Sequence, residues 1–202
     1  MSAAAYRALA AGEVAIVPTD TVYGLAALPG SSGYEKIFEL KQRPAGQVLP
    51  WLVPGADALD TYAAEASPAA WRLARRFWPG ALTIVVRASK RAQELRSVAP
   101  DGTVALRCPD EPTCLNLLER LGKPLCCTSA NLHGAPAVSR RAELDPSFAD
   151  VAGFGELPDC CRGGKASTIV DCTGETPQIL REGPIPEQLV REAAGIDATL
   201  ER

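Results

Sequence analysis

The sequence predicts an α/β fold in which a strongly twisted, mixed sheet carries flanking helices. Three observations lead there. Short apolar runs of strand length recur along the chain, as at Val14–Val17, Ala81–Val86 and Ser167–Asp171, and most are rich in β-branched residues. Between them lie stretches whose apolar residues fall at i, i+3 and i+4, the spacing of a helix with one buried face. Polar residues gather where the apolar runs stop, which is where open α/β sheets bind their ligands. With 202 residues, one domain over residues 1–202 is the expected organisation.

In chain order, Ser2 to Ala11 reads as a helix of small residues with a serine cap, closed by Gly12. Val14 to Val17 is the first strand. Pro18 ends its pairing because it has no N–H to give. Thr19, Asp20 and Thr21 form a polar turn, and Tyr23-Gly24 leads into a second apolar piece, Leu25 to Leu28. Ser31 or Ser32 caps a helix with an apolar face on Tyr34, Ile37 and Phe38, which delivers Lys41 and Arg43 to its end. Leu49 to Val53 is a strand and Asp57 to Ala64 a helix. Ser67-Pro68 opens another helix, whose solvated face is Arg72, Arg75 and Arg76, and Pro79-Gly80 stops it. Ala81 to Val86 and Thr103 to Leu106 are strands, the latter ending at Arg107. Pro112 to Leu121 is a helix closed by Gly122, and Pro124 to Cys127 a strand with Ser129 and Asn131 beyond it. Ser139 to Leu144 reads as a short helix, Asp150 to Gly153 as a short strand, and Arg162 to Lys165 as a loop before the strand Ser167 to Asp171. Gln178 to Arg181 is the last strand and Pro186 to Ala194 the closing helix. No internal repeat or interdomain linker interrupts this series.

Composition excludes several classes of protein. The formal charge is −3 with the two signs interspersed, so the basic face of a protein living on phosphate contacts is absent. Glycine and proline, 17 each, fit tight loops without reaching a disordered composition. Seven cysteines include the neighbours Cys126-Cys127 and Cys160-Cys161 but no C-x-x-C. Neighbours on a strand face opposite ways, so neither pair is half of an ordinary zinc site, and small buried fillers are expected. No run approaches the ~18 apolar residues of a membrane span, and no signal-peptide pattern opens the chain, so a cytoplasmic protein is expected.

Candidate chemistry lies at the ends of the apolar runs. Lys41 and Arg43 are two cations at i and i+2, and Ser129 and Asn131 a hydroxyl and an amide at the same spacing. In extended backbone such pairs face one way. A P-loop is excluded although GGKAST superficially offers one, because Asp159 stands where glycine is needed and Ala166 where Ser or Thr is needed. What remains is a distributed cradle: Lys41, Arg43, Arg107 and Arg181 with donors from Ser129, Asn131, Ser167 and Thr168. A cation about 4 Å from a phosphate oxygen is worth on the order of 4 kcal/mol at an effective dielectric near 20, so the cradle holds a polyphosphate only if it converges. Two residues have plainer explanations. Lys41 also reads as a charge at a helix C-terminus, and His133, the single histidine, as a loop residue before Gly134.

These segments resemble the YrdC/Sua5 family of threonylcarbamoyl-AMP synthases. PTDTVYGL, FELKQRP, WPGALTIVV, VALRCPD, PLCCTSANLHG, ASTIVD and ILREGPI occur in the family's order and cover nearly the whole chain. The resemblance implies a YrdC/RibB-like fold in the compact single-domain form. It also implies a reaction: L-threonine and bicarbonate give N-carboxythreonine, whose carboxylate attacks the α-phosphorus of ATP and expels pyrophosphate. A separate tRNA transferase complex would then use the threonylcarbamoyl-AMP.

By resemblance, Lys41 and Arg43 are the catalytic cations. ATP would be held by Lys41, Arg43, Arg107, Ser129, Asn131, Ser167 and Arg181, and threonine by Thr19, Thr21, Tyr23 and Thr168. Mg2+ would arrive with ATP and need few protein carboxylates. Asp20 is the one nearby acid, and a turn-stabilising Asx contact is the better explanation of it. The chain departs from the pattern at Gln47, Val48 and Leu52, where many relatives have lysine, proline and, in longer members, histidine. Ala81 replaces a proline. Two rival readings are a carbamoyltransferase of the hydrogenase-maturation kind and a non-enzymatic double-stranded RNA-binding protein. The first lacks its zinc-finger parts here, and the second conflicts with the acidic balance.

Overall fold

A computed structural model describes residues 3–44 and 48–196 of the chain. Ser2, expected as a helix cap, and Gln47 lie outside the described residues.

Among the described residues there are eight strands: β1 (Ala15–Val17), β2 (Gly24–Ala27), β3 (Trp51–Leu52), β4 (Leu82–Arg87), β5 (Thr103–Arg107), β6 (Leu125–Ser129), β7 (Thr168–Asp171) and β8 (Gln178–Arg181). They form one sheet in the order β1-β2-β6-β3-β5-β4-β7-β8. β3 with β5 and β4 with β7 are parallel and the other neighbours antiparallel, so the sheet is mixed.

The helices are α1 (Ala3–Ala10), α2 (Ser32–Lys41), α3 (Ala58–Tyr62), α4 (Pro68–Phe77), α5 (Lys90–Glu94), α6 (Pro112–Leu121) and α7 (Glu187–Ala194). Their ends follow the capping chemistry. Ser67 accepts from the Ala70 N–H at 3.2 Å ahead of Pro68, and Glu111 accepts from Cys114 N ahead of Pro112. Gly122 closes α6 at φ 60, a left-handed position that suits glycine.

Alternation along the strands sorts side chains to two cores. Ile16, Leu25, Trp51 and Cys126 enter the larger one, with α2, α4 and α7. Val17, Ala26, Leu52, Leu125 and Cys127 enter the smaller one, against α1 and α6. Cys126 and Cys127 therefore face opposite ways, as neighbours on a strand must.

Two sequence expectations are corrected. Residues 139–156 hold neither the short helix nor the short strand; three single 3₁₀ turns stand there, at Arg141–Glu143, Pro146–Phe148 and Phe154–Glu156. Only an isolated bridge, Ala15 to Ala152, ties this segment to β1. The second correction is α5, a short helix capped by the Ser89 hydroxyl, which the sequence reading passes over.

Candidate active site

Where β5, β6 and β8 run out and β7 begins, beside the turn after β1, the sheet leaves a cavity of about 300 Å³. The turn is its floor. Thr19 Oγ1 donates to Val22 O at 2.7 Å and accepts from the N–H groups of Thr21 and Val22. That donation uses Thr19's single hydroxyl proton, so in the 2.9 Å contact between the two hydroxyls Thr21 is the donor.

Arg107 ties this turn to the sheet. Its Nη2 donates to Asp20 Oδ1 at 2.6 Å, its Nη1 to Thr21 Oγ1 at 3.0 Å and its Nε to Gly80 O at 3.1 Å. The Arg107 and Asp20 side chains are only 8% and 9% exposed, so the pair is shielded from water. Asp20 thereby takes the turn-stabilising role. Gly163 lies against the other side of the turn, where a Cβ would come 2.8 Å from Asp20 O and from Thr21 Cα. Tyr23 is fully buried and donates to Pro158 O at 2.6 Å, and burial pushes its phenol up to about 12.

The opposite wall is Arg181 on Ser167. Arg181 Nε and Nη2 donate to the Ser167 main-chain oxygen at 3.0 and 2.8 Å. Burial first, then the neighbouring Arg107, lowers the pKa of Arg181, and burial lowers that of Arg43. Arg43, Arg107 and Arg181 all line the cavity, so three guanidiniums from distant parts of the chain converge there.

Lys41 stands behind the wall. It is 3% exposed and does not line the cavity. Its Nζ donates to Ser129 O at 2.6 Å, Asn131 O at 2.7 Å and Asn131 Oδ1 at 3.2 Å. Burial first and the charge of Arg43 second push the ammonium down to about 8.

The same-face expectation for both i, i+2 pairs is corrected, because neither pair is extended. Gln42 is left-handed, at φ 52 and ψ 39, and Asn131 N turns back onto Ser129 O at 3.0 Å. Ser129 consequently lines the cavity, while the Asn131 amide donates to Leu132 O and Ala135 O.

Thr19, Thr21, Tyr23, Arg43, Arg107, Ser129, Ser167 and Arg181 are thus brought to the cavity, and Lys41, Asn131 and Thr168 are not. Thr168 has no exposed surface, and its hydroxyl serves the chain: it donates to Ile185 O and accepts from Gly183 N and Ile185 N. His133 also lies off the cavity, its main-chain N–H donating to Lys41 O. Val48 and Leu52, two of the departures, contribute apolar lining.

Sequence reasoning missed Thr83, which lines the cavity and bonds Ser167 Oγ at 2.8 Å. The signal was a lone hydroxyl within the apolar run Ala81–Val86. No cluster of three or more His, Cys, Asp or Glu among the described residues could hold a metal ion. Six of the seven cysteines are buried and all are free; Cys127, on the cavity wall, has its thiol pushed up to about 12 by burial.

The fold and this site define a class: an α/β protein whose cavity, at the ends of strands of a mixed sheet, gathers converging guanidiniums and hydroxyls, a donor set suited to anions. The chain belongs to the Sua5/YciO/YrdC family, described as "Telomere recombination", which matches residues 7–183. It is 34% identical to the threonylcarbamoyl-AMP synthase of Bacillus subtilis, over 91% of this chain and 53% of that one. It is 36% identical to the putative threonylcarbamoyl-AMP synthase of Mycobacterium tuberculosis, over 96% and 89%. Its fold superposes on P. abyssi Sua5 complexed with L-threonine with a TM-score of 0.81 at 31% identity, over 95% of this chain and 56% of that one. The chain therefore spans about half the length of the Bacillus and Pyrococcus relatives. Among the described residues no helix is long and apolar enough to cross a membrane.

Proposed function

We propose that the chain is an L-threonylcarbamoyladenylate synthase, joining L-threonine, bicarbonate and ATP into threonylcarbamoyl-AMP with release of pyrophosphate and water. The observation that carries this reading is the convergence of Arg43, Arg107 and Arg181 on one cavity with a hydroxyl-rich turn at its floor. The likeness to a Sua5 protein complexed with L-threonine supports it.

The reaction asks for position and charge more than for a protein nucleophile. The amine of threonine takes up bicarbonate with loss of water, and a carboxylate oxygen of the N-carboxythreonine attacks the α-phosphorus. The bond to the bridging oxygen breaks, and pyrophosphate leaves. Guanidiniums that are already in place stabilise the charge on the α-phosphoryl and leaving oxygens without reorganising. Arg43 and Arg181 are the nucleotide-side cations in this scheme, and Ser129 and Ser167 supply hydroxyls. Thr19, Thr21 and Tyr23 shape the amino-acid side, with Arg107 holding the turn. Lys41 and Asn131 act from behind, by fixing the Ser129 main chain.

Mg2+ belongs to the substrate in this scheme, as Mg-ATP. The donor set fits that role, since Asp20, the nearby carboxylate, is engaged by Arg107 and the ion keeps its waters and phosphate oxygens. The product would pass to a tRNA threonylcarbamoyl transferase complex. Incubating the protein with Mg-ATP, threonine and 13C-bicarbonate tests the reading by mass spectrometry. Threonylcarbamoyl-AMP labelled at the carbamoyl carbon is the expected product, and its absence with folded protein would overturn the proposal.

A further inference from the structure

Thr83 and Ser167 are two buried hydroxyls, 1% and 6% exposed, at the wall of the cavity. Thr83 lies in β4 opposite Ile169 of β7, and its Oγ1 is 2.8 Å from Ser167 Oγ. Geometry alone leaves open which of the two donates, and their unequal burial favours one assignment. A buried hydroxyl that fails to donate forfeits a hydrogen bond in a place where water does not replace it. Among the described residues, Ser167 Oγ is the sole hydrogen-bond partner of Thr83 Oγ1, and Thr83 is the more buried of the two, 1% exposed against 6%, so donation from Thr83 leaves the spare proton on the hydroxyl nearer the open cavity.

Ser167 Oγ then accepts from Thr83, and it accepts a second, longer bond of 3.4 Å from Arg181 Nη2. Both lone pairs are engaged, and the O–H of Ser167 is left over. Arg181 also holds the main-chain oxygen of the same residue, so Ser167 is anchored at two of its atoms. The unused proton belongs to a side chain that lines the cavity.

We infer that Thr83 is a positioning residue that fixes the hydroxyl of Ser167 as a donor aimed into the cavity, where it meets an anionic oxygen of the substrate, a carboxylate or a phosphate. This rests on the synthase reading and deepens it. Without Thr83 the Ser167 hydroxyl regains a free rotor and can turn its proton elsewhere, so the ligand loses a preorganised donor. The effect belongs on ground-state binding of the substrate whose oxygen is met.

The test is a double-mutant cycle on pyrophosphate release, with KM measured separately for threonine, bicarbonate and ATP. Thr83→Val keeps the side-chain shape and removes the donor. It is expected to raise one of the three KM values about three- to tenfold with kcat nearly unchanged. Ser167→Ala should raise the same KM at least as much, and the double variant no more than Ser167→Ala alone. Thr83→Ser, which restores a hydroxyl, should return toward wild type and shows that a loss is not one of folding. A rise in KM for threonine or bicarbonate assigns the oxygen to a carboxylate, and a rise for ATP to a phosphate. Unchanged KM values in Thr83→Val, or losses that add in the double variant, would overturn the inference. A wild-type protein that makes no threonine-dependent pyrophosphate would instead overturn the function on which it rests.

Discussion

Lys41 is a residue whose chemistry depends on its surroundings. Its ammonium meets three oxygens that all belong to the segment 129–131, so its expected effect on turnover runs through that segment. The folded pKa of about 8 lies below the ordinary 10.5. Between those values the unfolded chain binds more protons, so the Lys41 contribution makes the fold more stable as pH rises from about 8 to about 10.5, and the cost of the buried charge is fully present below about 8. Activity has the opposite slope. A neutral amine has two protons for three acceptors, so the 129–131 segment loosens as pH rises through about 8. Pyrophosphate release by the wild type should therefore fall above about pH 8 relative to that of Lys41→Ala, since deprotonation of threonine's amine is common to both. Lys41→Ala should lower release at neutral pH at least tenfold, about 1.4 kcal/mol. A wild-type pH profile from 7 to 9.5 that runs parallel to that of Lys41→Ala, or a Lys41→Ala variant as fast as wild type, would contradict this assignment.

At the scale of elements, the site depends on how β7, β8 and the segment after β8 lock together. Gly183 is placed so that a Cβ would lie 2.5 Å from the Ser167 carbonyl carbon and closer still to Thr168 N. The Thr168 hydroxyl clamps the same segment through Gly183 N at 2.9 Å and Ile185 at both its N–H and its carbonyl. Gly183→Ala should therefore destabilise the protein by about 1–3 kcal/mol through overpacking and cut pyrophosphate release with it, since Arg181 and Ser167 sit on either side of the strain. Ser67→Ala is the control. It removes the cap of α4, should cost about 1 kcal/mol in denaturant unfolding, and should leave turnover alone. Wild-type turnover in Gly183→Ala would show that this packing does not set the site. Most elements were legible because their signals are local: strand runs, the Ser67-Pro68 and Pro112 helix starts, and the Gly12 and Gly122 stops. Residues 139–156 were not, because single 3₁₀ turns carry no periodicity to read. The paired spacing of Lys41 with Arg43, and of Ser129 with Asn131, misled for a related reason. Spacing gives direction only when the backbone conformation is known, and a left-handed Gln42 and the turn at Asn131 break it.

Across the whole molecule, a chain of net charge −3 concentrates three guanidiniums in one cavity. Such a cleft focuses potential on an anionic substrate without requiring a basic surface. The fold brings them there by placing strand termini from distant parts of the sequence at one place: the turn at 19–21 after β1, Arg107 on β5, Ser129 on β6, Ser167 just before β7 and Arg181 on β8. That these residues sit at strand ends was readable from the sequence. Which of them converge depends on the sheet order, and pairing partners leave no local mark on the chain. The YrdC/Sua5 resemblance implied the site residues and the fold type but no strand order; the mixed character of the sheet agrees with the expectation, and its order is what brings these strand ends together. The central claim is that this cavity joins threonine, bicarbonate and ATP, and pyrophosphate release with each substrate omitted in turn tests it most directly. Release that requires all three is the predicted result. Release indifferent to threonine or to bicarbonate, or none from folded protein with Mg-ATP present, would contradict it.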